Sequence, residues 1–321
     1  MRITSLFQKT GIVLYKNTLL KRYKVDDNLY YVGKKNINFD KILLYFPNPE
    51  FMHLGDHFFF EPLAQVLSKN FRFKIMPTGI MEFYFRENSF YIAEKSDIPK
   101  ADLIITRTEF LFDRNLKNKN VLYLETAYPK ILKPICEDIV LKVIKFIKSK
   151  VHKIKKNQNI DFKPEKIKND KNILKKLGLN PKYKYILFNN YIDSGGYIVG
   201  AKMYKRLDDF TSEFAEKNNL KVIHVGTAKE KQKDNKIYNF VDYDLRGKTT
   251  PKDIFDLAAC PNIICNISFD AFQMHVFFIY GKKNYILFRG RLSKTSHDFI
   301  VNYVNPPFPY CDKKKIIEYI N

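Results

Sequence analysis

Cysteine is scarce in this chain. There are four in 321 residues (Cys136, Cys260, Cys265 and Cys311), with no CxxC pair among them. A disulfide scaffold needs a denser framework, so the thiols read as free and the compartment as reducing. The six histidines are scattered and form neither HExxH nor a zinc-ligand spacing. Long apolar runs are missing too; no stretch approaches the ~20 residues that a membrane-spanning helix needs. The opening MRITSLFQKTGIVLYKN turns polar too early for a signal peptide. Acidic residues are outnumbered, 34 against 56 Lys and Arg, for a formal net charge of +22. Such an excess suits an anionic partner: nucleic acid, an acidic membrane surface or a phosphorylated substrate. It also accompanies an abundance of Lys, Asn and Ile, which by itself produces a basic, solvated surface.

What is present argues for folded cores. Hydrophobic residues make up 45% of the chain and aromatics 15%, far from the composition of a disordered protein. The length suits two domains better than one. Residues 1–39 alternate short apolar and polar pieces, such as GIVLYKN and NLYYVGKK, and read as an N-terminal extension of short strands. From 40 to 156 the pattern becomes strand, loop, helix, strand. DKILLYF, FRFKIMPT, ADLIITR and NVLYLET are the strands, and HFFFEPLAQVLSKNF has helical spacing. That alternation predicts a Rossmann-like, parallel α/β domain. At its end, ICEDIVLKVIKFIKSKVHKIKK sets Ile139, Val140, Val143, Ile144, Ile147 and Val151 on one helical face with lysines around them. The stripe either packs on its own domain, the preferred reading, or lies on an anionic membrane.

Residues 157–180 are polar, charged and poor in apolar positions, and read as a linker. A second α/β unit spans 181–321, with strands in KYKYILFNN, LKVIHVGT, NIICNIS and KNYILFRG. Two doubly wound halves predict a ligand cleft between them, outside the carboxyl ends of the strands.

Four local patterns bear on chemistry. HLGDHFFFEPLAQVLSKNF holds Gly55, Asp56 and Pro62 at the start of a helix. On its own, Asp56 reads as a helix cap. GAKMYKRLDDF places Lys202 at a helix start, after a loop containing Ser194, Gly195 and Gly196. A lysine and free amides together suit a phosphate. HVGTAKEK ends a strand at Gly226 and brings Glu230 four residues later, where the plain reading is a carboxylate in a first helical turn. Leu245-Arg-Gly-Lys-Thr249 precedes a helix, a strand and Asp270-Ala-Phe-Gln-Met-His275. Asp270 interrupts an apolar neighbourhood, so it must either cap a helix or face a ligand.

Taken in order, these patterns resemble the heptosyltransferase-type glycosyltransferases, glycosyltransferase family 9, over roughly residues 40–305. The resemblance implies a GT-B fold of two Rossmann-like domains facing across a cleft. It implies an inverting, metal-independent transfer of a heptose or related sugar. The donor would be a nucleotide-diphosphate sugar and the acceptor a lipid-linked or oligosaccharide chain, such as a lipooligosaccharide core or capsule. In that family's pattern Asp56 is the general base, which takes the proton of the attacking hydroxyl. Lys202 contacts the nucleotide phosphates and Glu230 the ribose hydroxyls. Asp270 faces the donor sugar or diphosphate, with Ser194, Gly195, Gly226, Thr249 and His275 completing the donor side. No metal and no cofactor beyond the donor are implied. The location implied is cytoplasmic, with the basic surface able to rest on the inner face of the membrane.

The departures are specific. Tyr204 and Lys205 replace the family's Trp and Pro, and Ala271-Phe272 replaces Ser-Gly. The small pair lets donor atoms approach the backbone, and Phe272 is expected to crowd them. A catalytically silent scaffold of the same fold is therefore the alternative. A nucleic-acid-binding protein is a weaker one, because no RNP, KH, zinc or helix-turn-helix pattern occurs.

Overall fold

The computed structural model describes residues 20–35, 38–50, 52–125, 135–150, 164–191, 201–269, 271–287 and 317–319. The chain divides into two compact units, Met1–Pro129 with Ile135–Phe162, and Lys130–Pro134 with Lys163–Asn321.

The first unit is built on a six-stranded sheet. Its strands are β1 (Lys24–Asp26), β2 (Leu29–Val32), β3 (Lys41–Tyr45), β4 (Arg72–Met76), β5 (Leu103–Arg107) and β6 (Val121–Leu124), in the order β1-β2-β6-β5-β3-β4. From β6 to β4 all pairs are parallel. The central strands are continuous apolar runs because helices and crossovers cover both faces. The sheet is not wholly parallel, as the sequence pattern suggests. β1 and β2 form a hairpin, with Asn28 at φ 59 in its turn, and β2 pairs antiparallel with β6. Residues 24–32 are thus part of the first sheet, covering what would otherwise be its β6 edge.

Two helices pack together on this sheet, His57–Ser68 and Ile135–Lys150. The apolar stripe of the second is used up in that contact: Ile139, Val140, Val143, Ile144 and Ile147 are buried. Val151 lies outside the described residues. The membrane-facing reading of the stripe is corrected accordingly, because an interior face is not available to lipid. No described helix is long and apolar enough to cross a membrane.

The second unit carries β7 (Tyr185–Asn189), β8 (Lys221–His224), β9 (Tyr243–Asp244), β10 (Ile263–Phe269), β11 (Lys283–Leu287) and β12 (Ile317–Tyr319). All pairs are parallel, in the order β12-β11-β10-β7-β8-β9. Counted within the unit this is the 3-2-1-4-5-6 order of a dinucleotide-type Rossmann sheet. Residues 164–180, which read as linker, belong to this unit. Ile167, Ile173, Leu174 and Leu179 are buried. Lys176 bonds Asp253 at 2.6 Å, and Asp170 N–H bonds Asp256 at 2.9 Å, on the helix Pro251–Ala259. The apolar residues there are too sparse to register as a pattern, yet each one is used.

Candidate functional site

In an open α/β sheet, ligands gather where the strand order reverses, beyond the carboxyl ends of the strands. In the first unit that point lies between β3 and β5. Asp56 comes from the connection after β3. It occupies the cap position of the helix His57–Ser68, but its side chain caps nothing. Its backbone is already helical, at φ −67 and ψ −22, where a capping residue takes extended angles. The carboxylate instead bonds Nη1 of Arg107, the last residue of β5, at 2.5 Å. Glu109 receives Nε and Nη2 of the same guanidinium at 3.2 and 3.1 Å. The Arg107 side chain is 12% exposed and that of Asp56 20%. Burial opposes the charge of Arg107, but Asp56 and Glu109 outweigh it and hold the guanidinium above its ordinary pKa. Two carboxylates share one cation, so the trio is net negative in a chain of strongly positive charge.

His57 beside it is a structural residue. The ring is buried, with Nδ1 3.0 Å from the carbonyl of His53, and Nε2 accepts the Thr78 N–H at 3.2 Å. A carbonyl can only accept and an amide only donate, so the ring is the neutral Nδ1–H tautomer. Burial pushes its pKa down to about 4. Neither Arg107 nor His57 stands out in the sequence. Arg107 closes an apolar strand where a solvated charge is unremarkable, and only the fold sets it opposite Asp56.

In the second unit the order reverses between β7 and β10. The helix Ala201–Lys217 leads there, and Tyr204 on its first turns meets Phe269, the last residue of β10, ring to ring at 5.6 Å. Lys202 lies two residues before Tyr204 on that helix. It is exposed and has no ion-pair partner among the described residues. Asp270, Ser194 and Gly195 lie outside the described residues.

Glu230 sits in the helix Ala228–Lys233 and closes a capping box: it accepts the Thr227 N–H at 2.8 Å, while the Thr227 hydroxyl accepts the Glu230 N–H at 3.2 Å. The fold explains the Gly-to-Glu spacing. A Cβ on Gly226 would overlap Glu230 Oε2, so glycine is what lets the side chain fold back over the strand end. Gly247, at φ +76, donates to the Gly226 carbonyl at 2.8 Å, which lays the 245–249 loop beside Gly226. Thr249 is half-buried there, next to Thr250, which caps the following helix.

His275 is 7% exposed, on the buried side of the helix Phe272–Ile279. Phe272 does not stand as a free obstacle; its ring packs on Phe255 at 6.1 Å, between the helices Pro251–Ala259 and Phe272–Ile279. Sequence reading also passed over His224 at the end of β8. It is buried, its Nε2 meets Asn190 Oδ1 at 3.1 Å, and burial pushes its pKa down to about 3. A groove of about 770 Å³ in the first unit is a different place altogether: it is lined by Lys41 and Arg72, the first residues of β3 and β4, at the opposite end of the strands.

No protein-family model matches the chain, and no curated protein sequence does. Solved structures do. A glycosyltransferase family 9 protein from Veillonella parvula is 12% identical, with a TM-score of 0.56 over 89% of this chain and 88% of that one. The ADP-heptose lipopolysaccharide heptosyltransferase II of Escherichia coli is 15% identical, with a TM-score of 0.57 over 87% of this chain and 90% of that one. The likeness runs through both units, and the fold of this chain is that of these glycosyltransferases, the GT-B type with two Rossmann-like units.

Proposed function

We propose that this chain, with the fold of a family 9 glycosyltransferase, transfers a sugar from a nucleotide-diphosphate donor to a surface glycan, with inversion at the anomeric carbon. One observation carries the reading: the Asp56 carboxylate stands at the switch point of the first sheet, held by Arg107 and not used as a helix cap. Such a group can take the proton of an acceptor hydroxyl as its oxygen attacks the anomeric carbon. The bond from that carbon to the diphosphate breaks on the opposite face, and the nucleoside diphosphate leaves. Lys202 and the amides at its helix start receive the leaving charge, so no metal is required. Glu230 exchanges its Thr227 amide for the ribose hydroxyls, and the 226–230 and 245–249 loops form the nucleoside wall. The related heptosyltransferase makes an ADP-heptose the first donor to try, and a lipopolysaccharide core or capsule chain the first acceptor. The charge of +22 steers the dianionic donor and holds the protein on an anionic inner leaflet where lipid-linked acceptors sit.

The test is thermal unfolding with nucleotide diphosphates and their sugars, with added Mg²⁺ or with EDTA. A ligand at a hundredfold excess over its dissociation constant adds about 2.7 kcal/mol. The expected outcome is stabilisation by one nucleotide family, equal in EDTA, and lost in Lys202→Ala and Glu230→Ala. Release of nucleoside diphosphate in the presence of acceptor should vanish in Asp56→Asn. A well-folded sample indifferent to every nucleotide would defeat the reading.

A further inference from the structure

We propose that the groove at the amino ends of β3 and β4 docks an extended segment of another protein, with acidic and apolar residues in alternation, as an added strand on the β4 edge. The inference goes beyond the glycosyltransferase reading and does not depend on it, since the groove lies at the opposite end of the strands from Asp56. β4 is the edge of its sheet. Its even-numbered residues bond β3: the Arg72 N–H donates to the Asp40 C=O at 2.9 Å, and the Met76 C=O accepts the Phe46 N–H at 2.7 Å. In a parallel pair the alternate residues then turn their backbone groups away from the partner. Ile75 does so and is already covered. Its N–H donates to the Tyr91 C=O at 2.9 Å and its C=O accepts the Ala93 N–H at 2.7 Å, so the chain itself lays a short extended segment along this edge. That segment does not continue to Phe73. Ser89 turns it at φ 63, and the Phe90 N–H donates to the Phe85 C=O at the end of the helix Glu82–Glu87. The outward N–H and C=O of Phe73 are left without a partner among the described residues.

The two faces of this open edge differ in chemistry. On one, the buried Phe73 packs edge-on against Phe90, ring to ring at 6.2 Å, and Tyr91, 76% exposed, lines the groove beside them. The other face carries Arg72 and Lys74, and the register Lys41↔Arg72 sets Lys41 with them. Lys74 holds Asp97 at 2.8 Å, and Lys100 lines the groove from the same turn. Neither Lys41 nor Lys100 has an ion-pair partner among the described residues. A strand laid here sends alternate side chains to the two faces. Apolar ones meet Phe73 and Phe90, and acidic ones meet the lysines across the pair. The same cations exclude a second copy of this edge, which would bring like charges face to face. An ionised lipid headgroup only accepts hydrogen bonds and leaves the Phe73 C=O unmet, whereas a peptide backbone serves both groups.

The probe is a fluorescent peptide of about six residues alternating Glu and Val, the length of an ordinary strand, titrated into the full chain and followed by anisotropy. A peptide alternating Lys and Val is the control. The Glu-Val peptide should bind and the Lys-Val peptide should not, and amide hydrogen exchange over residues 71–75 should slow in the complex. N-methylation at alternate residues of the Glu-Val peptide separates strand addition from charge: one set should abolish binding and the other leave it intact. Lys41→Glu combined with Lys100→Glu, both exposed positions, should weaken Glu-Val binding roughly tenfold and admit the Lys-Val peptide. Equal binding of the two N-methylated sets, or of the Glu-Val and Lys-Val peptides, would reduce the contact to charge alone and overturn the proposal. A folded sample that binds neither peptide would overturn it too. So would a dimer in sedimentation whose exchange protection falls on residues 71–75, which gives the edge to a second copy, or protection there by phosphatidylglycerol vesicles and not by the peptide, which gives it to lipid.

Discussion

Asp56 and Glu230 look alike in the sequence: each is a carboxylate in the first turn of a helix. The fold treats them oppositely. Glu230 closes a capping box with Thr227, whereas Asp56 makes no side-chain cap and pairs with Arg107. Gly226→Ala follows from this contrast. The new Cβ would displace Glu230 from the Thr227 amide, since Oε2 occupies that space. The loss of one cap costs about 1 kcal/mol, read as a lower melting temperature, and stabilisation by nucleotide should disappear with it. His57 gives a pH prediction. Its folded pKa, pushed down by burial to about 4, lies below the ordinary 6.5. Above pH 6.5 the ring is neutral in both states and costs nothing. As pH falls from 6.5 toward 4 the unfolded chain takes up a proton that the folded one refuses, and stability drops, by about 3 kcal/mol in all. His57→Gln should remove that part of the acid dependence in urea titrations run from pH 7.5 to 4.

At the scale of elements, two charge-rich segments are governed by their apolar residues, as the sequence reading preferred for the first and did not foresee for the second. The helix Ile135–Lys150 has lysines around it, but its buried stripe packs on the helix His57–Ser68. Ile147→Ala should therefore cost about 2–4 kcal/mol of stability, measured by denaturant unfolding, and leave vesicle binding where it was. Residues 164–180 read as a spacer because polar residues dominate them. In the fold, Asp253 is 2% exposed and joins Lys176 to the Thr250 cap. Burial alone would raise the Asp253 pKa, yet Lys176 and Thr250 hold it below the usual range. The contribution is present above the ordinary carboxylate pKa and is lost as pH falls below it. Asp253→Ala removes a cap and an ion pair together and should cost about 1–3 kcal/mol. The effect should shrink below pH 4.

For the molecule as a whole, the excess of 56 basic over 34 acidic residues is a field rather than a site. If it serves attachment to an anionic leaflet, binding to phosphatidylglycerol vesicles should be strong in low salt. It should fall away as the screening length drops from about 10 Å at 0.1 M toward 3 Å at 1 M. Phosphatidylcholine vesicles should not bind at any salt. Salt-independent binding would contradict this account and point to apolar insertion. The trio Asp56, Arg107 and Glu109 runs against the field, with two carboxylates on one cation.

Much of this protein follows from the order of its residues. Apolar runs such as ILLY, LIIT and VLYL can only be satisfied in strands buried on both faces. Their alternation with helical stretches leads to two α/β units, and motif spacing set Gly226 and Glu230 just after a strand end. Those are local facts, settled within about ten residues of chain. The antiparallel addition of the β1–β2 hairpin to the first sheet is not local, because β6, the partner of β2, lies about ninety residues further on and nothing in either segment names the other. The same holds for the meeting of Asp56 with Arg107, 51 residues apart. A helix cap and a held carboxylate have the same sequence; Asp56 is set in helical backbone and meets an arginine that a neighbouring strand delivers. Only the tertiary structure supplies that strand.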